Sequence, residues 1–176
     1  QYTLKPPAGT KLTKITALED NVKLDLAAQS IRIEAPIPGK KLVGIEVPNL
    51  KSATVRISSL LEAPEWKEEA IPLTFGIGKD IGGKPIVADL AKMPHVLVAG
   101  QTGSGKSVMI NTILTSLLYR NSPADLKLIL VDPKQVELKP YDEIPHLLTP
   151  VITDPEKCIS ALKWTVAEME RRYKLL

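Results

Sequence analysis

The 176-residue chain is short of several things, and each shortage removes a class of protein from consideration. It has one cysteine, Cys158, so no internal disulfide can form and a reducing compartment suits it. Cys158 falls within a helical pattern and reads as a small buried thiol. The two histidines, His95 and His146, lack Cys or His companions at ligand spacing, which argues against a metal site. One phenylalanine and two tryptophans leave the core to aliphatic side chains. No apolar run reaches the roughly 20 residues that a membrane-spanning helix needs, and no signal-peptide pattern is present. Charge of one sign is not concentrated: the formal net charge is +3, with both signs mixed throughout, unlike the clustered basic face of a strong nucleic-acid binder. What remains is 44% hydrophobic and 24% charged, the composition of an ordinary folded protein. The length allows one domain, or one small domain plus part of another.

One stretch carries explicit chemistry: His95 to Ser107, HVLVAGQTGSGKS. Val96 to Ala99 reads as a short buried strand running into Gly100, Gly103, Gly105, Lys106 and Ser107, the phosphate-loop pattern G-x-x-x-x-G-K-[ST]. Glycines permit backbone angles that a Cβ forbids, so successive N–H groups can turn toward phosphate oxygens. The following helix adds its positive N-terminal end. Lys106 would neutralise the β and γ phosphates, and the Ser107 hydroxyl would sit on Mg²⁺. The expected nucleotide-binding set is Gly100, Gln101, Thr102, Gly103, Ser104, Gly105, Lys106 and Ser107, with Lys106 the catalytic candidate, Ser107 the metal ligand, and ATP with Mg²⁺ as the bound species.

Around this stretch the pattern predicts two regions. In the first, Leu12 to Ile15 reads as a strand and Leu18 to Gln29 as a helix. Ile31 to Ile37 reads as a half-buried strand, with a turn at Pro38-Gly39, a return over Lys41 to Val47 and a short strand over Thr54 to Ile57. This is an α+β module. The segment Glu62 to Ala70, with Pro64 and its acids, reads as a junction. Pro72 to Gly78 and Pro85 to Leu90 then pair as a hairpin around Asp80-Ile81-Gly82-Gly83. A helix follows the phosphate loop to about Arg120, and Leu126 to Val131 reads as a second continuous apolar strand; strand, helix, strand is a βαβ unit with a sheet buried on both faces. Asp154-Pro155 opens a last helix, with Ile159, Leu162, Val166, Met169 and Tyr173 along one stripe.

Hydrolysis needs more than a phosphate loop: an acid that orients Mg²⁺ and a residue that positions the attacking water. Asp132, at the end of Leu128-Ile129-Leu130-Val131, taken alone looks like that acid. Pro133 follows it, where many ATPases keep a glutamate, and the strand need not neighbour Val96 to Ala99 in space.

Gly76 to Ser107, GIGKDIGGKPIVADLAKMPHVLVAGQTGSGKS, closely resembles the motor segment of FtsK/SpoIIIE DNA translocases. Asp132-Pro133-Lys134 with Glu137-Leu138 and Ile144 to Leu148 resembles the family's next block, and Glu168-Met169-Glu170-Arg171-Arg172-Tyr173 the one after. Pro36 to Pro48 fits the module that precedes the motor. The resemblance implies an α/β fold: a RecA-like P-loop NTPase core with an incomplete parallel sheet, preceded by a small α+β module. It implies an α subdomain over residues 1–72, suited to ring assembly, and the N-terminal part of the ATPase β subdomain over 73–176. It implies a homo-hexameric, ATP-driven pump of double-stranded DNA that serves chromosome segregation at division or sporulation. In such a pump DNA is gripped mainly by regions outside this chain. The motor is cytoplasmic, in a protein held in the cell membrane through an N-terminal region. On this resemblance Asp132 is not the metal-orienting acid, strands from later in the chain lie between Val96–Ala99 and Leu128–Val131, the 176 residues alone bind ATP without efficient hydrolysis, and either they fold poorly alone or they are part of a longer chain. Two other readings stay in view: a conjugation- or secretion-type ring ATPase, and a nucleotide-binding or assembly module with no turnover of its own.

Overall fold

The computed structural model describes residues 1–49, 51, 53–68 and 71–175. The chain divides into two compact units, Gln1–Val55 and Arg56–Leu176.

In the first unit, β1 (Tyr2–Leu4), β2 (Arg32–Glu34) and β3 (Val43–Glu46) form an antiparallel sheet in the order β1-β3-β2. Thr3 faces Gly44, and Ile33 faces Ile45. Val43 and Ile31 supply the buried side chains. Gly44 lies so close to the Gln1 and Ile37 side chains that a Cβ there would press on both, which explains glycine at the centre of the middle strand. Two short helices, α1 (Leu12–Thr16) and α2 (Glu19–Asp25), join β1 to β2 and bury no residue. The helix at α1 replaces the strand expected over Leu12 to Ile15. Leu12 and Ile15 stand three apart, which is a helical spacing and not the two-residue alternation of a strand.

The second unit is organised around α5 (Lys106–Arg120). On one side lies the expected hairpin, β4 (Thr74–Lys79) against β5 (Pro85–Asp89), with an irregularity between Gly76 and Gly78. The Asp80 carboxylate closes its turn by accepting from the Gly82 and Lys84 N–H groups at 2.8 and 2.9 Å. Ser116, fully buried on α5, accepts from the Gly76 N–H at 3.2 Å, tying helix to hairpin. Two helical turns, α3 (Ile57–Leu61) and α4 (Pro64–Glu68), belong to the same unit. Leu60 is buried against the bare backbone of Gly76, and Trp66 is buried beneath the Arg120 guanidinium, 4.1 Å from the ring centroid. Arg120 also donates to the Trp66 and Ile71 carbonyls. Of the expected strand over Thr54 to Ile57, residues 54–56 take no regular structure and Ile57 opens α3, where it shares one helical face with Leu60. Residue 72, the expected boundary, lies within the Arg56–Leu176 unit, and Glu69 and Ala70 of the expected junction lie outside the described residues.

On its other side α5 packs Leu114 against Leu130 and Leu138, with Ile110, Leu128, Tyr141, Leu147 and Val151 around them. The Leu126–Val131 segment is extended, but its pairing is limited to parallel bridges, Leu128 to Leu147 and Val131 to Ile152. Among the described residues no ladder joins it to Val96–Ala99, which forms no strand; Leu97 is 91% exposed. The βαβ unit buried on both faces is therefore not what forms here. One face of the Leu126–Val131 segment is covered by α5, while Val131 stays open. α6 (Pro155–Tyr173) begins where expected, with Asp154 accepting from the Glu156 and Lys157 N–H groups. Its stripe Ile159, Leu162, Val166, Met169 and Tyr173 is exposed, and Cys158 is half-buried. The final residue, Leu176, lies outside the described residues.

Candidate functional site

The eight residues Gly100–Ser107 form one continuous loop that ends on the first turn of α5. Gly105 caps the helix at φ 95° and Gly103 sits at φ 81°, both in the left-handed region that an L side chain enters only with strain. The Ser104 N–H donates to the Gln101 carbonyl at 3.1 Å, closing the turn between them. The Ser104 hydroxyl lies over Gly100, so a Cβ at position 100 would collide with it. Thr102 is exposed at the tip. Lys106 folds back over the loop and its Nζ donates to the Gly100 and Gln101 carbonyls, each at 2.8 Å. The ammonium is thereby held at the centre of the cradle by two neutral acceptors, which a phosphate would outcompete.

Ser107 has a partner that no local pattern indicates: its Oγ donates to the Glu137 carboxylate, 2.5 Å away. Thirty residues separate them in sequence. Glu137 is held there by the segment that follows Asp132. The buried Asp132 carboxylate accepts from the N–H groups of Glu137 at 2.9 Å, Leu138 at 3.0 Å and Gln135 at 3.1 Å. These donors, Leu138 first and then Glu137, outweigh burial and hold the carboxyl below the usual carboxylate range. Both Asp132 oxygens are thus occupied in shaping a turn in which Gln135 takes φ 58°. Asp132 is a backbone organiser, which is why an acid at the end of an apolar segment is poor evidence of a metal ligand.

A second tether lies one helical turn further on. Asn111 donates to the Ser107 carbonyl at 2.8 Å and accepts from the Tyr141 hydroxyl at 2.6 Å. The helix start and the 132–141 segment are therefore pinned together at Ser107–Glu137 and Asn111–Tyr141. The apolar hollows of this unit, lined by Ile129, Leu148 and Trp164, include no phosphate-loop residue. Chemistry follows the polar loop and not these apolar hollows.

The hard oxygens of Ser107 and Glu137 are of the kind a small divalent cation takes. Among the described residues no group of three His, Cys, Asp or Glu side chains could enclose an ion, so a cation here would need further oxygens from a ligand such as a nucleotide phosphate. Sequence reasoning found the loop and placed Glu137 only within a longer block. Its approach to Ser107 depends on a tertiary contact.

Residues 56–176 match the FtsK/SpoIIIE family, and residues 1–49 match the FtsK alpha domain. The chain is 55% identical over 175 residues to the DNA translocase SftA of Bacillus subtilis (strain 168), covering 99% of this chain and 18% of that protein. It is 56% identical over 175 residues to the DNA translocase FtsK of Clostridium tetani (strain Massachusetts / E88), covering 99% of this chain and 24% of that one. Among solved structures it resembles the monomer form of the pCW3 conjugation coupling protein TcpA with ATPgS, with a TM-score of 0.54 and 28% identity over 99% of this chain and 46% of that one. The chain spans between 18% and 25% of the length of the curated relatives it matches.

Proposed function

This chain belongs to the FtsK/SpoIIIE family, and we propose that it supplies the nucleotide-holding part of an ATP-driven double-stranded DNA translocase that serves chromosome segregation at cell division or sporulation. The observation that carries the reading is the glycine-shaped loop opening α5, with Lys106 and Ser107 side by side at its end. It lies in a chain similar over its length to proteins named DNA translocases. The relative solved with ATPgS supports the same ligand class.

In this proposal Gly100–Ser107 cradle the ATP phosphates. Lys106 exchanges the Gly100 and Gln101 carbonyls for phosphate oxygens, and Ser107 offers its hydroxyl oxygen to Mg²⁺. Bound Mg²⁺ screens the phosphate charge. With Asp132 occupied by backbone donors, this chain is proposed to bind ATP without efficient hydrolysis and to reach turnover only within a longer homo-hexameric motor. The first unit then acts in ring assembly, and DNA is held mainly by regions outside this chain. From the family membership we place this part on the cytoplasmic side and the anchor in an N-terminal region outside this chain; no helix among the described residues is long and apolar enough to cross a membrane. The structural likeness to a conjugation coupling protein favours that ring ATPase as the second reading.

Thermal unfolding of the 176-residue chain with and without Mg-ATP tests the binding. Ligand at about a hundred times its dissociation constant adds roughly 2.7 kcal/mol, a rise of several degrees in a protein of this size. Lys106→Ala is expected to abolish most of the rise, and ATP turnover is expected to stay at background with or without duplex DNA. An unchanged melting temperature with Mg-ATP overturns the binding; DNA-stimulated turnover overturns the assignment of Asp132.

A further inference from the structure

We propose that Glu137 is a positioning residue for the cation that accompanies the nucleotide: it takes the Ser107 proton in a hydrogen bond and so turns the hydroxyl lone pairs toward the ion. The proposal rests on the nucleotide reading above and adds a residue to that site.

Three observations carry it. The first is the Ser107 Oγ to Glu137 Oε1 hydrogen bond itself. A serine hydroxyl has one proton and two lone pairs. A hydroxyl that coordinates a cation must send its proton elsewhere, and a carboxylate is the strongest acceptor a side chain can offer. A partner that orients a ligand's proton also makes its oxygen a better donor to the metal.

The second is the rigidity of the Glu137 backbone. Its N–H is held by Asp132, the next residue, Leu138, is buried in the core beside Leu114, and Tyr141 is bound to Asn111 on the same face of α5. Asn111 in turn holds the Ser107 carbonyl. A glutamate on a mobile backbone would order both backbone and side chain for each encounter with Ser107, whereas Glu137, exposed but with its backbone held, orders only its side chain.

The third is charge. Among the described residues Glu137 has no salt-bridge partner, and its only side-chain hydrogen bond is to Ser107. Among the described residues no cationic side chain lies within salt-bridge distance of its carboxylate, which is open beside the loop.

The test separates cation from nucleotide. Binding of N-methylanthraniloyl-ATP to the 176-residue chain is measured in EDTA and then across a Mg²⁺ titration, for the native chain, Glu137→Gln, Ser107→Ala and the double variant. Glu137→Gln keeps the backbone N–H that Asp132 holds, and circular dichroism verifies the fold. Should it fail to fold, Glu137→Ala, which removes the acceptor and keeps the same backbone N–H, replaces it with the same outcomes. We expect Glu137→Gln to raise the Mg²⁺ concentration for half-maximal enhancement by ~10-fold or more, to leave affinity in EDTA within about twofold, and to add nothing in the Ser107→Ala background. An unchanged Mg²⁺ dependence overturns the proposal. An equal effect with and without Ser107 also overturns it, because Glu137 would then act on its own. A native chain that binds no nucleotide analogue under any condition overturns the nucleotide reading itself, and the proposal with it.

Discussion

Asp132 and Glu168 are both carboxylates held below their usual range, and for different reasons. At Asp132 the donors are backbone N–H groups of the residues it folds around itself, so its removal leaves Glu137 and Leu138 without their acceptor, while Gln135 keeps the Asp132 carbonyl. Asp132→Ala is expected to lower the melting temperature and to speed hydrogen exchange at the Glu137 and Leu138 amides more than at the amides of α5. Glu168 instead faces Arg171 and Arg172, each with its Nε at 2.7 Å, and their hydrogen bonds, Arg171 first, bring its pKa from 4.5 to about 2. A depressed folded-state pKa means that the stabilisation is present above the unfolded value and disappears as pH falls from about 4.5 to about 2. The arginines are largely solvent-exposed, so the pair adds little to stability and is weakened by salt. Carboxyl NMR should show Glu168 titrating near 2 and returning toward 4.5 in an Arg171→Gln, Arg172→Gln chain.

At the level of elements, α5 does three jobs with three parts of its surface. Its first turn presents Lys106 and Ser107, its middle receives the hairpin through Ser116 and the Leu130 core through Leu114, and its end binds Trp66 and Ile71 through Arg120. The Ser116 hydroxyl is the polar pin of the set. Ser116→Ala leaves the Gly76 N–H buried without an acceptor, and such a group costs about 1–3 kcal/mol. Equilibrium unfolding in denaturant should show a loss of that size with nucleotide contacts unchanged. The element patterns were legible where the signal was long or chemically explicit: the hairpin with its Asp80 turn, α5 behind the phosphate loop, and α6 behind Asp154-Pro155. They failed at Leu12 and Ile57, where four- and five-residue segments carry too few apolar positions to tell a period of 2 from one of 3.6. They failed also at Val96–Ala99, where an apolar run signals burial but pairing needs a neighbouring strand.

For the whole chain, every residue assigned to the candidate site lies in the Arg56–Leu176 unit. A chain of residues 56–176 alone is therefore expected to bind Mg-ATP within about threefold of the affinity of all 176 residues, a difference below about 0.7 kcal/mol. Calorimetric titration of the two proteins checks this, and a larger loss would mean that the first unit contributes to the site. What the amino-acid sequence determined by itself was the phosphate loop. Its function depends on residue types at fixed local spacing: glycines for left-handed backbone, then a lysine and a hydroxyl at the mouth of a helix. What only the tertiary structure decided was the fate of the two acids downstream. Asp132 turned inward to its own backbone, and that turn carried Glu137 thirty residues across to Ser107. No local pattern encodes that contact, because it depends on where the core places Leu138 against Leu114.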